Sequence, residues 1–133
     1  MEGSSLSSEA RGHLSKALRK LRSAEKLLKE KEYDDSISRA YYAMLHAARA
    51  ALTTRGSSPR THEGVLREFG RLFIVTGELP EERGKDLSVV RYLRERCDYA
   101  PLYEANRKEA VDALRKATIL VEAVARTLNM GTA

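Results

Sequence analysis

The stretch SRAYYAMLHAARAAL, Ser38–Leu52, has the apolar content of a buried helix. Apolar side chains recur in and beside it at steps of three and four residues, as they do along one face of an α-helix. These residues are Ile37, Tyr41, Met44, Ala48 and Leu52. The spacing predicts a long helix, from about Tyr33 to Thr54, that lies in the protein core.

A second stripe on this helix is polar, and it is formed by Arg39, Tyr42, His46 and Arg49. Steps of three, four and three residues predict that the four side chains share one face. One interpretation is an anion site, in which the arginines bind phosphate, His46 exchanges a proton and Tyr42 offers a hydroxyl or a stacking face. The other is a polar seam, in which Tyr42 and His46 hydrogen-bond to neighbouring helices and Arg39 pairs with a carboxylate, since buried polar groups need partners.

The rest of the chain has the same helical periodicity. We predict a first helix at about residues 8–30 and a third helix from a cap at Ser58 or Thr61 to about Gly77. A polar connection at residues 77–85 is expected to lead into a fourth helix, which ends near Asp98–Ala100. A fifth helix is expected from Glu104 or Ala105 to about Asn129. The core stripe of the last helix is expected to run from Val111 to Leu128. No alternation long enough for a strand is present, so the predicted fold class is all-α, an up-and-down bundle of four to five helices. Residues 1–8 are expected to be a flexible tail and residues 9–130 a single domain.

Composition narrows the function classes. The 24 Lys and Arg residues outnumber the 19 Asp and Glu residues, and the net charge of +5 favours an anionic partner. The sequence contains no apolar membrane span, no secretory leader pattern and one cysteine, Cys97, so we expect a cytoplasmic protein without an internal disulfide. It has no glycine-rich phosphate loop and no metal-ligand spacing, since His46 and His62 lack further ligands, so neither a metal nor a cofactor is predicted.

Three segments, in this order, resemble the HEPN domain family: Ala40–Ala48 (AYYAMLHAA), His62–Val65 (HEGV) and Arg94–Tyr99 (RERCDY). The resemblance covers about residues 10–128. It implies a four- or five-helix bundle that forms a homodimer. It also implies a possible partner of the nucleotidyltransferase family, in a two-gene arrangement like that of toxin–antitoxin modules.

Some members of that family are metal-independent ribonucleases, which carry a late arginine followed, after four to six residues, by a histidine. The matching position here is Arg96, and no histidine follows it in the chain. Arg96, Asp98 and Tyr99 therefore form a second candidate cluster without the usual base. It is either an edge that contacts a nucleotide or RNA, with arginine for phosphate and tyrosine for stacking, or a helix end at which Asp98 pairs with an arginine and the tyrosines pack on a partner subunit.

We therefore predict a module that binds a nucleotide or RNA, a nucleotidyltransferase partner, or both. One alternative is a divergent ribonuclease in which His46 is the general base, the one candidate catalytic residue, and Arg39 or Arg96 stabilises the developing charge. The other alternative is a non-catalytic adaptor that oligomerises. His62 is interpreted as a structural residue, and His13 is given no role.

Overall fold

Residues 7–128 are the part of the chain that this computed structural model describes, and they contain five α-helices and one π-helical turn. They are α1 (Ser8–Lys29), α2 (Tyr33–Thr53), α3 (His62–Phe69), the turn Gly70–Ile74, α4 (Glu81–Tyr99) and α5 (Arg107–Thr127). No strand occurs within these residues, and the predicted all-α bundle is confirmed. Most of the predicted tail, residues 1–6, lies outside the described residues, as does the predicted end of the last helix at Asn129.

The central element is α2, in which 12 of 21 residues are buried. All five residues of the predicted apolar seam, from Ile37 to Leu52, are buried. Most of the other buried positions are alanines, and α1 faces them with Ala10, Ala17 and Ala24, each fully buried. Small side chains allow neighbouring helices to approach closely, so α1 packs along α2 over most of its length and the two helices form a tight pair.

Helix α4 begins earlier than the sequence pattern indicates. The pattern predicts a polar connection over residues 77–85, but the helix starts at Glu81, directly after Pro80. Two acidic residues in the first turn, Glu81 and Glu82, interact favourably with the helix dipole, and proline is well tolerated at a helix start. The polar composition of this stretch therefore reflects an exposed helical turn and not a loop.

Helix α5 also departs from the predicted stripe. It begins at Arg107, where the Asn106 side chain accepts a hydrogen bond from the Glu109 backbone and the Glu109 carboxylate accepts one from the Asn106 backbone. Its buried face near this end consists of Ala110 and Ala113, whereas Val111 is exposed. The prediction favoured large aliphatic residues, but alanine is the residue that lets α5 approach the core.

Candidate nucleic-acid interface

A groove of about 330 Å³ lies between α1 and α2. We call it the basic groove, and it is lined by Lys16, Arg19, Lys20, Ser23, Arg39 and His46. The three cations of α1 share one helix face because they are three and four residues apart. None of the lining residues is acidic, so four positive charges from two helices converge on one small surface depression.

Within the part of the chain that the structure describes, no carboxylate neutralises the charges of the basic groove. Arg19 Nη1 donates to Ser15 Oγ (3.0 Å) and Arg39 Nη1 donates to Ser23 Oγ (3.0 Å). A hydroxyl orients a guanidinium without cancelling its charge. Among residues 7–128, none of the four groove cations forms an ion pair. Such a concentration of one sign of charge attracts anions.

His46 meets a second histidine beside the groove. Its Nδ1 lies 3.1 Å from Nδ1 of His13 on α1, and the two rings stack with centroids 5.4 Å apart. Burial lowers the pKa of His46 to about 4, with further lowering from His13 and from Lys16, so the ring is neutral at pH 7. The sequence offered one signal for His13: it precedes Lys16 and Lys20 by three and seven residues and so shares their helix face.

The four residues of the polar stripe on α2 separate into two pairs. At about 100° per residue, Arg39 and His46 lie within about 20° of each other, and so do Tyr42 and Arg49, but the pairs are about 60° apart. Arg39 and His46 line the basic groove. Tyr42 faces α4, while Arg49 Nη1 donates to the Pro59 carbonyl oxygen (2.8 Å) ahead of α3. The structure thus brings two of the four predicted residues together.

A second polar cluster joins α2, α3 and α4, and sequence reasoning missed its centre, Arg94. This side chain is only 8% exposed, and its guanidinium carbon lies 5.1 Å and 5.6 Å from the ring centroids of Tyr41 and Tyr42. Arg94 Nη1 donates to the Tyr42 hydroxyl oxygen (3.3 Å) and to Asp98 Oδ2 (3.0 Å). The contacts of Arg94 with the two tyrosines hold α4 against the central helix α2.

His62 belongs to the same cluster. Its Nδ1 lies 3.1 Å from the hydroxyl oxygen of Tyr41, a residue that is fully buried. Burial lowers the pKa of His62, and the nearby Arg94 lowers it further, so the ring is neutral and can pair with the tyrosine. This geometry matches the structural interpretation of His62, since the imidazole supplies the partner that a buried hydroxyl requires.

The predicted cluster of Arg96, Asp98 and Tyr99 is divided. Asp98 turns towards Arg94, whereas Arg96 lies on the outside of α4 with its guanidinium 4.3 Å from the Tyr103 ring centroid. Arg96 belongs to what we call the exposed α4 face, four exposed residues that lie within about 80° of one another around the helix: Val89, Tyr92, Arg96 and Tyr99. Tyr92 and Tyr99 are 59% and 74% exposed, so they are open to a partner.

The cysteine and the potential metal ligands were the remaining candidate features of the sequence. Cys97 is half-buried, and burial together with Asp34 raises the pKa of its thiol to about 12, so it is protonated at neutral pH. Within residues 7–128 no group of three or more His, Cys, Asp or Glu side chains is placed to hold a metal ion. In the same range, no helix combines the length and the apolar character needed to span a membrane.

The fold and the basic groove define a small helical bundle with one strongly cationic face. The HEPN domain family pattern matches residues 10–127, and the chain belongs to this family. The relative named "Putative toxin MJ0605", from Methanocaldococcus jannaschii, is 32% identical over 81% of this chain and 80% of its own length. A protein named "UPF0332 protein", from Thermotoga maritima, is 32% identical over 79% of this chain and 80% of its own length.

A solved structure shares the fold. The protein TT1696 from Thermus thermophilus superposes with a TM-score of 0.77, over 90% of this chain and 98% of that chain. The two sequences are only 22% identical, so the comparison shows a shared arrangement of the helices and bears on the fold alone. The predicted fold and the predicted family are both confirmed.

Proposed function

We propose that this chain is a toxin-like HEPN module that binds RNA or a nucleotide through phosphate contacts in the basic groove. The observation that carries the proposal is the convergence of Lys16, Arg19, Lys20 and Arg39 without a neutralising carboxylate among residues 7–128. Lysine and arginine side chains bind phosphate through charge-assisted hydrogen bonds, and counterions released from the nucleic acid supply affinity. The toxin names of the relatives support the same kind of module.

Binding of single-stranded RNA should weaken steeply with salt. Two to three phosphate contacts on a single strand predict an affinity loss of about tenfold between 50 mM and 200 mM salt. Fluorescence anisotropy of a labelled RNA oligomer, titrated with the full chain at several salt concentrations, measures this slope. An affinity independent of salt, or no binding at micromolar protein, would exclude phosphate recognition by the groove.

The ribonuclease alternative uses the same groove, because Arg39 and His46 both line it. In that case His46 would remove a proton from the attacking hydroxyl and Arg39 would stabilise the negative charge that develops on the non-bridging phosphate oxygens. The two alternatives differ in the fate of the bound RNA. Gel analysis of the anisotropy samples in EDTA separates them, since a binding module leaves the RNA intact.

A second function, the docking of a protein partner, is favoured by the exposed α4 face. Exposed tyrosines around an arginine are typical of protein interfaces, and large apolar side chains rarely cluster on a surface without a role. We propose that this face holds either a second copy of the chain, as in a homodimer, or a nucleotidyltransferase-family partner. The homodimer is the simpler assembly, because it needs only the chain itself.

Light scattering during size-exclusion chromatography tests the homodimer. The full chain should elute with twice the 14.9 kDa mass of one copy, and Tyr92→Glu/Tyr99→Glu should convert it to the single-copy mass. Val75→Glu is the matched control, since Val75 is an apolar residue that is 83% exposed and lies outside the α4 face. A dimer that persists in the tyrosine variant, or that is also lost in the control, would place the interface elsewhere.

A further inference from the structure

The histidine pair beside the basic groove has a preferred arrangement of protons. Two Nδ1 atoms 3.1 Å apart can share a hydrogen bond only if one of them carries the proton and the other accepts it. Glu9 Oε2 lies 4.0 Å from His13 Nε2, which favours the tautomer of His13 with its proton on Nε2. His13 Nδ1 is then the acceptor and His46 Nδ1 the donor.

This arrangement determines what His46 presents to a ligand. With its proton on Nδ1, a neutral His46 carries a lone pair on Nε2, and no hydrogen bond to Nε2 occurs within residues 7–128. A phosphate oxygen without a proton would meet that lone pair unfavourably. A favourable contact therefore requires one additional proton between Nε2 and the phosphate.

Terminal and internal phosphates differ in this respect. A phosphate monoester has a second ionisation with a pKa near 6, so it can bring or share a proton at neutral pH. An internal phosphodiester carries a single charge and has no second proton to share. We propose that the basic groove selects a terminal phosphate, whose second ionisable proton bridges one of its oxygens to Nε2 of His46. This inference rests on the proposed phosphate-binding function and specifies the ligand of the same groove.

The charges around His46 support this selection. Its ring is faced from α1 by His13, Lys16 and Lys20 and from α2 by Arg49, while Arg19 and Arg39 complete the groove and Glu9 acts through His13. In the free protein, burial and these cations keep His46 unprotonated at neutral pH. A ligand with two negative charges offsets the cations and so makes a proton at Nε2 favourable. The groove volume also suits the end of a strand, a terminal phosphate together with the nucleotides nearest to it.

The experiment compares one RNA oligomer carrying either a 5′-phosphate or a 5′-hydroxyl, with AMP and adenosine as competitors, at pH 7 on the full chain. We expect the 5′-phosphate form to bind about tenfold more tightly, the effect of one charge-assisted hydrogen bond. Competition by AMP but not adenosine identifies a nucleotide as a sufficient ligand. Failure of AMP to compete identifies the RNA end, and both results support selection of a terminal phosphate.

His46→Gln separates the role of the histidine from the effect of charge. The glutamine amide can donate to either kind of phosphate without an additional proton, so the ratio of the two affinities should fall to about twofold or less, whatever the change in overall affinity. A preference that survives in a folded His46→Gln protein would come from charge alone and would overturn the inference. Equal binding of both RNA ends to the unaltered chain would also overturn it and leave the proposed function standing. If neither RNA form binds the unaltered chain, both this inference and the proposed function are wrong.

Discussion

Replacing Lys16, Lys20 and Arg39 together by glutamine should weaken RNA binding about 100-fold at 50 mM salt. All three side chains line the basic groove, and each is expected to contribute about 1 kcal/mol through its phosphate contact. The salt dependence should become shallower as well, because fewer counterions are released when fewer phosphates are neutralised. Anisotropy titrations of the variant at several salt concentrations give both quantities.

The matched control for this triple variant is Arg22→Gln/Lys26→Gln/Lys29→Gln. It removes the same number of charges, all from α1, the helix that supplies two of the three groove substitutions, but the three side chains lie outside the groove. If net charge alone attracts RNA, both variants should lose the same affinity. The groove proposal requires that the control stay within about threefold of the unaltered chain, because its three side chains do not line the groove and their longer-range attraction is partly screened by salt.

Arg94→Ala should lower the free energy of unfolding by about 3 kcal/mol. The substitution removes the guanidinium from two tyrosine rings, the hydrogen bond to Tyr42 and the ion pair with Asp98. It also leaves a space between α2 and α4, since the side chain is almost fully buried. Urea unfolding followed by circular dichroism measures the change.

Arg96→Ala is the control for this prediction. Arg96 lies on the outside of the same helix and contacts the rings of Tyr103 and Tyr92 at the surface, so its loss should cost less than about 1 kcal/mol. Similar costs for the two variants would mean that the buried cluster does not hold α4 in place. A greater cost for Arg96 would contradict the assignment of Arg94 as the central residue.

Periodicity was sufficient for much of the fold but not for the site. It predicted the apolar seam of α2 because apolar side chains at helical spacing form one face of the helix, and such a face is buried in the core. It also predicted the polar stripe, yet treated Arg39 and Arg49 as neighbours, although the rotation per residue puts them about 80° apart. This angle depends only on the spacing of the two residues, so it could have been worked out from the sequence.

Other features depend on contacts between distant parts of the chain. The pairing of His13 with His46 joins positions 33 residues apart, and that of Tyr42 with Arg94 joins positions 52 apart. Both follow from how α1 and α4 pack on α2, which a helical pattern does not specify. For the same reason Arg96, at the position that resembles the family motif, lies outside, while Arg94, two residues earlier, is buried.

The basic groove and the histidine pair are contained within α1 and α2, consecutive helices joined by a connection of three residues. The exposed α4 face belongs to another helix, which packs against α2, α3 and α5. The proposed sites of ligand recognition and subunit assembly therefore occupy separate segments of the chain. Substitutions could accumulate on the α4 face and change the choice of partner while the groove keeps its shape, so the two properties are free to evolve independently.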